Sequence, residues 1–164
     1  MKQYIFLLIT IFSIAGCSSN SKNGKQSDEF YTDKGGMDWG RVPLIKPYEI
    51  VSLREEEWGA RSVDTTDMPL SMPGVRAVNV IDSLILIFGK KTILNDQEVE
   101  AAWFVINAKN HKVSGFKDHK DYLNYLNSIG IRKEPKLLDA GEVSQYFLKN
   151  DTVDWKGISI SSKQ

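Results

Sequence analysis

His111 and His119 are the only imidazoles in the chain, and imidazole is the side chain best suited to proton transfer near neutral pH and to metal ligation. They lie eight residues apart, whereas two histidines holding a metal from one helix face need a spacing of three or four. Asp118 and Asp121 flank His119, so a metal site would have to be built from His119 and Asp118. The plainer reading is a solvated loop followed by a helix cap. Ser114 and Ser128 have no base at a patterned spacing, and no G-x-S-x-G, P-loop or H-E-x-x-H occurs. No catalytic residue, metal ligand or cofactor site is expected on these grounds. The 21 acidic residues leave one enzymatic route open, a carboxylate pair across a cleft, without singling out a pair.

The acidic run Glu55, Glu56, Glu57 stands directly before Trp58. It reads first as a solvated hairpin tip and second as a surface for a basic partner. Trp39, Trp58 and Trp155 fall at the edges of expected elements, where aromatics form either the rim of a core or an interaction surface. Glu55, Glu56, Glu57, Trp58 and Trp155 are therefore the candidate interaction surface. Trp103 lies inside an apolar run and is expected in the core.

The single cysteine, Cys17, excludes an intrachain disulfide and a multi-cysteine zinc site. It follows Lys2 and an almost unbroken apolar stretch over 4–14, YIFLLITIFSI. That stretch is shorter than the ~20 residues of a spanning helix and has the features of a signal peptide's charged and apolar regions. Its end, Ile14-Ala15-Gly16-Cys17, resembles the lipobox of bacterial lipoproteins. The resemblance implies a diacylglyceryl group on the Cys17 thiol, cleavage before it and acylation of the new amino terminus. Each buried CH₂ contributes ~0.8 kcal/mol, so several acyl chains anchor stably where one holds marginally. Ser18, rather than Asp, implies transport to the outer membrane, and the absence of an acidic run after Cys17 points to its periplasmic face.

With 21 basic and 21 acidic residues the formal net charge is zero, which argues against nonspecific nucleic-acid binding. A hydrophobic content of 41% is that of a globular domain rather than a disordered or repetitive chain. Removing residues 1–16 takes Lys2 with it and leaves 148 residues, 20 basic and 21 acidic, at a net −1. No polybasic patch assists membrane binding, so the lipid must anchor.

The organisation expected is a signal peptide over 1–16, a lipid-anchored flexible tether over 17–36, one domain over 37–150 and a tail over 151–164. The tether reads SSNSKNGKQSDEFYTDKGG beyond the cysteine, too polar to offset chain entropy, with an r.m.s. span of roughly 25 Å. Phe30 and Tyr31 are its only docking candidates. In the domain, 41–46 with Pro43 is an edge or connecting segment. Residues 48–53 and 58–63 form a hairpin, and 75–81 and 84–88 a second one turning at Asp82-Ser83. Residues 89–98 read as a polar crossing, 101–106 as a strong strand and 112–116 as a short return strand. Tyr122, Leu123, Leu126 and Ile129 mark a helix opened by Asp118 and closed by Gly130, and 140–148 a weaker one. The fold class is α+β: an antiparallel meander of five or six strands packed against one C-terminal helix, with a small barrel as the alternative.

Residues 42–63, through Pro43-Leu44-Ile45, Pro47-Tyr48-Glu49 and Trp58, resemble small Bacteroidetes-type lipoproteins of unknown function. Residues 75–126, through Val80-Ile81-Asp82, Trp103-Phe104-Val105-Ile106-Asn107 and Gly115-Phe116, resemble a second such pattern. Neither resemblance implies an activity or a set of site residues. The function expected is a lipid-anchored envelope binding module with a protein partner, of the inhibitor or immunity type. The alternative is an envelope enzyme or a small-ligand or glycan-binding domain using carboxylates.

Overall fold

A computed structural model describes residues 28–36, 39–52, 57–64 and 70–158. Cys17, the signal stretch, Glu55, Glu56 and the end of the tail lie outside the described residues. Within them no helix is long and apolar enough to cross a membrane.

Short turns set the architecture. β4 (Ser71–Ile81), β5 (Leu84–Leu94) and β6 (Gln97–Asn107) are joined by two-residue connections at Asp82-Ser83 and Asn95-Asp96. Asp82, Asn95 and Asp96 sit at φ 51°, 51° and 61°, the left-handed region that Asn and Asp tolerate and that matches the twist of paired strands. Residues 89–98 are therefore not a crossing but the far half of one long hairpin, with Thr92 paired to Val99 and Leu94 to Gln97. Asn95-Asp96 is the turn signal that the polar composition of 89–98 masked.

β1 (Gly40–Pro43), β2 (Tyr48–Ser52), β3 (Trp58–Ser62) and β7 (Lys112–Phe116) complete an antiparallel meander in chain order. β8 (Leu138–Asp139) pairs with β4 at Ala77 and Val78, where β4 has run beyond β3. The sheet thus has eight strands, not five or six. The extra ones are short: β1 survives as a strand because its proline is terminal and on an edge, and two residues of β8 are too few to show a period.

The sheet bends sharply. β4 carries a register shift between Val75 and Ala77. Gly74, at φ 74°, lies so close to Lys90 that a Cβ would sit 2.1 Å from its carbonyl oxygen, so only glycine fits. Lys91 is also left-handed, at φ 48°. The β5–β6 tip consequently folds over the sheet and lays Leu94 against Gly115, whose absent side chain makes the room. At the other end Tyr48 Oη meets His111 Nδ1 at 2.9 Å. That bond joins β2 to the turn between β6 and β7, so the two ends of the meander approach each other across the concave side.

The concave side holds the main core, with Ile50, Val78, Ile85, Ile87, Phe104 and Ile106 all buried. α3 (Ala140–Lys149) follows β8 directly and adds Ala140 and Val143 to it. Its N-cap, Asp139, accepts from the Glu142 amide at 3.1 Å. The opposite face is covered by α2 (His119–Ser128), which buries Tyr122 and Leu126 on Leu86 and Val105. Both expected helices are present, and they cover two faces where one helix on one face was expected. Asp118 holds the N-cap position of α2 without a side-chain cap bond, and Gly130, at φ 92°, ends the helical path.

The expected tether is shorter than its composition suggested. Residues 29–32 form a helical turn, α1 (Glu29–Thr32), and Phe30 is buried. Residues 28–36 act as a strap over β1. Arg41 Nη1 donates to the carbonyls of Phe30 at 2.8 Å and Asp33 at 2.6 Å, and Lys34 Nζ to that of Leu148 at 3.1 Å. Lys46 and Asp28 pair at 2.9 Å, which holds the Asp28 carboxyl below its usual range. Beneath the strap lies a buried ion pair. Arg41 Nε donates to Glu49 Oε2, with Arg41 5% and Glu49 1% exposed, and Arg61 Nε reaches Glu49 Oε1 at 2.8 Å. Among the described residues of the tail, Val153, Trp155 and Ile158 pack against the main core from an irregular segment.

Candidate functional site

The register of the sheet builds the site. Ala77 pairs with Phe88, Phe88 with Trp103 and Trp103 with Phe116, so four strands place these side chains in one row on the face that α2 covers. The next row, Asn79, Leu86, Val105 and Ser114, lies under the helix. Phe88 and Trp103 remain half-buried. Their rings approach at 5.0 Å between centroids, tilted by 39°, within the favoured range for aromatic pairs.

The segment between α2 and β8 returns across this end of the face and leaves a cleft of about 380 Å³, open to solvent. Phe88, Trp103 and Ala77 form one side; Glu134, Pro135, Lys136 and Leu137 form the other. That second wall is fixed at both ends. Asn79 Nδ2 donates to the Lys136 carbonyl at 2.8 Å, and β8 pairs with β4 immediately after it. Glu134 is held by His119, Nε2 to Oε1 at 2.7 Å, and the His119 ring lies 5.0 Å from that of Trp103. The arrangement is an aromatic floor faced by a wall that includes Glu134 and Lys136.

Tyr122 packs behind it, its ring centroid 6.4 Å from that of Trp103. Its hydroxyl is buried with no hydrogen-bond partner among the described residues. Burial, with the charge of Glu134 second, pushes the phenol up to about 12 from 10.0. The stabilising preference for the protonated form is present below pH 10 and is lost as pH rises through about 12. Tyr122→Phe should remove that alkaline loss and leave stability near neutral pH unchanged or raised by up to ~1 kcal/mol, since a buried orphan hydroxyl is deleted. Urea melts of both proteins at pH 7 and pH 11 check this. A clear loss of stability in the variant at pH 7 would mean that the hydroxyl has a partner.

The residues singled out in the sequence are distributed differently. Trp58 is only 7% exposed and belongs to the main core, rather than standing displayed beside the acidic run. Its strand sends Trp58, Ala60 and Ser62 inward. Glu57 is exposed. Trp155 is half-buried against the main core rather than displayed. Trp103 is half-buried at the cleft instead of fully buried, because the core side of β6 belongs to Ala102, Phe104 and Ile106. His111 bonds to Tyr48 while His119 bonds to Glu134. No group of three metal-ligating side chains occurs among the described residues. Phe88, Glu134 and Lys136 went unnoticed in the sequence. The alternation that pairs Phe88 with Trp103 is masked by apolar residues on both faces, and 134–137 carries no periodic pattern. Comparison with protein-family models, with curated proteins and with solved structures finds no match to this chain.

Proposed function

We propose that this protein is a lipid-anchored binding module of the cell envelope, held through Cys17 at the periplasmic face of the outer membrane, that takes its ligand in the Trp103 cleft. The observation that carries the binding site is the pair of half-buried aromatics, Phe88 and Trp103, facing a wall already fixed by Asn79, β8 and His119. Open clefts with an apolar floor and a few placed polar groups are the usual form of small-ligand sites. A carboxylate hydrolase would need a second acid across the cleft from Glu134, and Glu134 is the one carboxylate among the described lining residues. The anchor rests on the apolar run and the Ile14-Ala15-Gly16-Cys17 sequence. The protein-partner form at the 55–58 tip loses its aromatic anchor with Trp58 in the core.

Two measurements test the two halves of this reading. Wild-type protein should incorporate a fatty-acid analogue and fractionate with membranes, and Cys17→Ser should do neither. Identical labelling and fractionation of the two would remove the anchor. Capture from native envelopes with the full chain should retain material that Trp103→Ala fails to retain, with circular dichroism confirming that the variant is folded. Equal capture by both would remove the cleft as the binding site.

A further inference from the structure

We infer that the cleft takes a pyranose ring of an envelope glycan, which rests on the binding-module reading and names its ligand. The argument is one of complementarity. The floor offers the indole of Trp103 and the ring of Phe88, tilted together at 5.0 Å. The negative face of an aromatic ring attracts positively polarised hydrogens, and a pyranose presents a row of C–H groups on one face. The opposite wall offers Glu134, an acceptor, and Lys136, a donor. A hydroxyl both donates and accepts, so one uncharged ligand satisfies both. A purely apolar ligand would use neither group and leave Glu134 to His119 alone, and a ligand of either charge would meet one group of its own sign.

The site is also preorganised for such a ligand. His119 holds the Glu134 carboxylate at 2.7 Å, and Asn79 fixes the backbone of Lys136 at 2.8 Å, so the wall is already placed and the Lys136 side chain is what binding must still order. The volume of about 380 Å³ lies within the range of small-ligand clefts, roughly 300–1,000 Å³. Because the cleft is open to solvent, a ring seated in it can belong to a longer chain.

The test uses the full chain purified in detergent, with four probes: methyl β-glucopyranoside, methyl β-N-acetylglucosaminide, cellobiose and chitobiose. Saturation-transfer NMR reads contact through the sugar ring protons, and tryptophan fluorescence reads affinity. At least one probe should bind saturably. Glu134→Gln and Lys136→Met, both at the rim and expected to leave the fold intact, should each weaken it about fivefold or more, and Trp103→Ala about tenfold or more. If no probe transfers saturation while envelope capture still depends on Trp103, the pyranose inference is overturned and the cleft remains a binding site for another ligand. A captured protein that none of the four sugars displaces overturns it equally. If capture is also indifferent to Trp103, the binding-module reading falls with it.

Discussion

Arg41→Ala should destabilise the domain by about 3–5 kcal/mol, the cost of breaking a buried ion pair from one side. Glu49, only 1% exposed, would keep Arg61 alone, and Arg61 is half in solvent, at 49% exposed. The same substitution removes the donor to the Phe30 and Asp33 carbonyls, so the strap should loosen as well. Urea unfolding measures the first effect. Limited proteolysis between residues 28 and 39 measures the second. Arg61→Ala should cost far less, about 1 kcal/mol, because an exposed partner gains little from its charge pair. Replacing both buried partners, as Arg41→Met with Glu49→Leu, should recover much of the loss, since two apolar groups leave no charge stranded. A cost for Arg41→Ala no greater than that for Arg61→Ala would show that the burial of Arg41 and its bonds to the strap add nothing beyond an exposed pair.

Trp58→Ala should cost a similar amount, about 3–5 kcal/mol, as expected for a large side chain removed from a packed interior. Trp58 stands opposite Ser52 on one side and Val75 on the other, inside the main core. Whole domains are stable by only about 5–15 kcal/mol, so loss of soluble protein is the expected phenotype. Trp103→Ala removes a side chain of the same type, but a half-buried one, and should cost clearly less. Chemical denaturation of the two variants side by side decides the matter. A Trp103 variant less stable than the Trp58 variant would reverse the assignment of which face of β6 meets the main core.

That pair of tryptophans also shows where sequence reasoning works and where it stops. Hairpins were legible: Asp82-Ser83 and the stretch 108–111 are turns, and the apolar runs around them are strands. Which side of a strand faces the core was not. Residues 101–106 are apolar on both faces, and β6 is in fact packed on both, so alternation gives no direction for Trp103. In β3 the inward residues after Trp58 are Ala60 and Ser62, too small and too polar to mark a buried face. Nothing in the sequence marks Glu49 and Arg41 as buried, because a charge is ordinarily exposed. Their burial depends on a partner eight residues away on the neighbouring strand, a fact of register and not of composition. Phe30 and Tyr31 were legible as docking residues, but the Arg41 guanidinium that receives the Phe30 and Asp33 carbonyls was not. Of the cleft, only Trp103 and His119 drew notice, and for other purposes.

If Cys17 carries the proposed lipid, the strap also sets how far this domain can travel. Cys17 and Asp28 are eleven residues apart, whereas Cys17 and Trp39 are 22 apart. Covalent geometry limits a chain to about 3.3–3.6 Å per residue. With Cys17 in the bilayer and the strap docked, the domain's attachment point can rise roughly 40 Å at most, against nearly 80 Å were the chain free up to Trp39. The greatest depth it can reach is halved, so its local concentration for any ligand within that depth is raised. Ligands beyond that depth are out of reach. Loosening the strap, as Arg41→Ala should do, would therefore exchange local concentration for range without altering a single contact in the cleft.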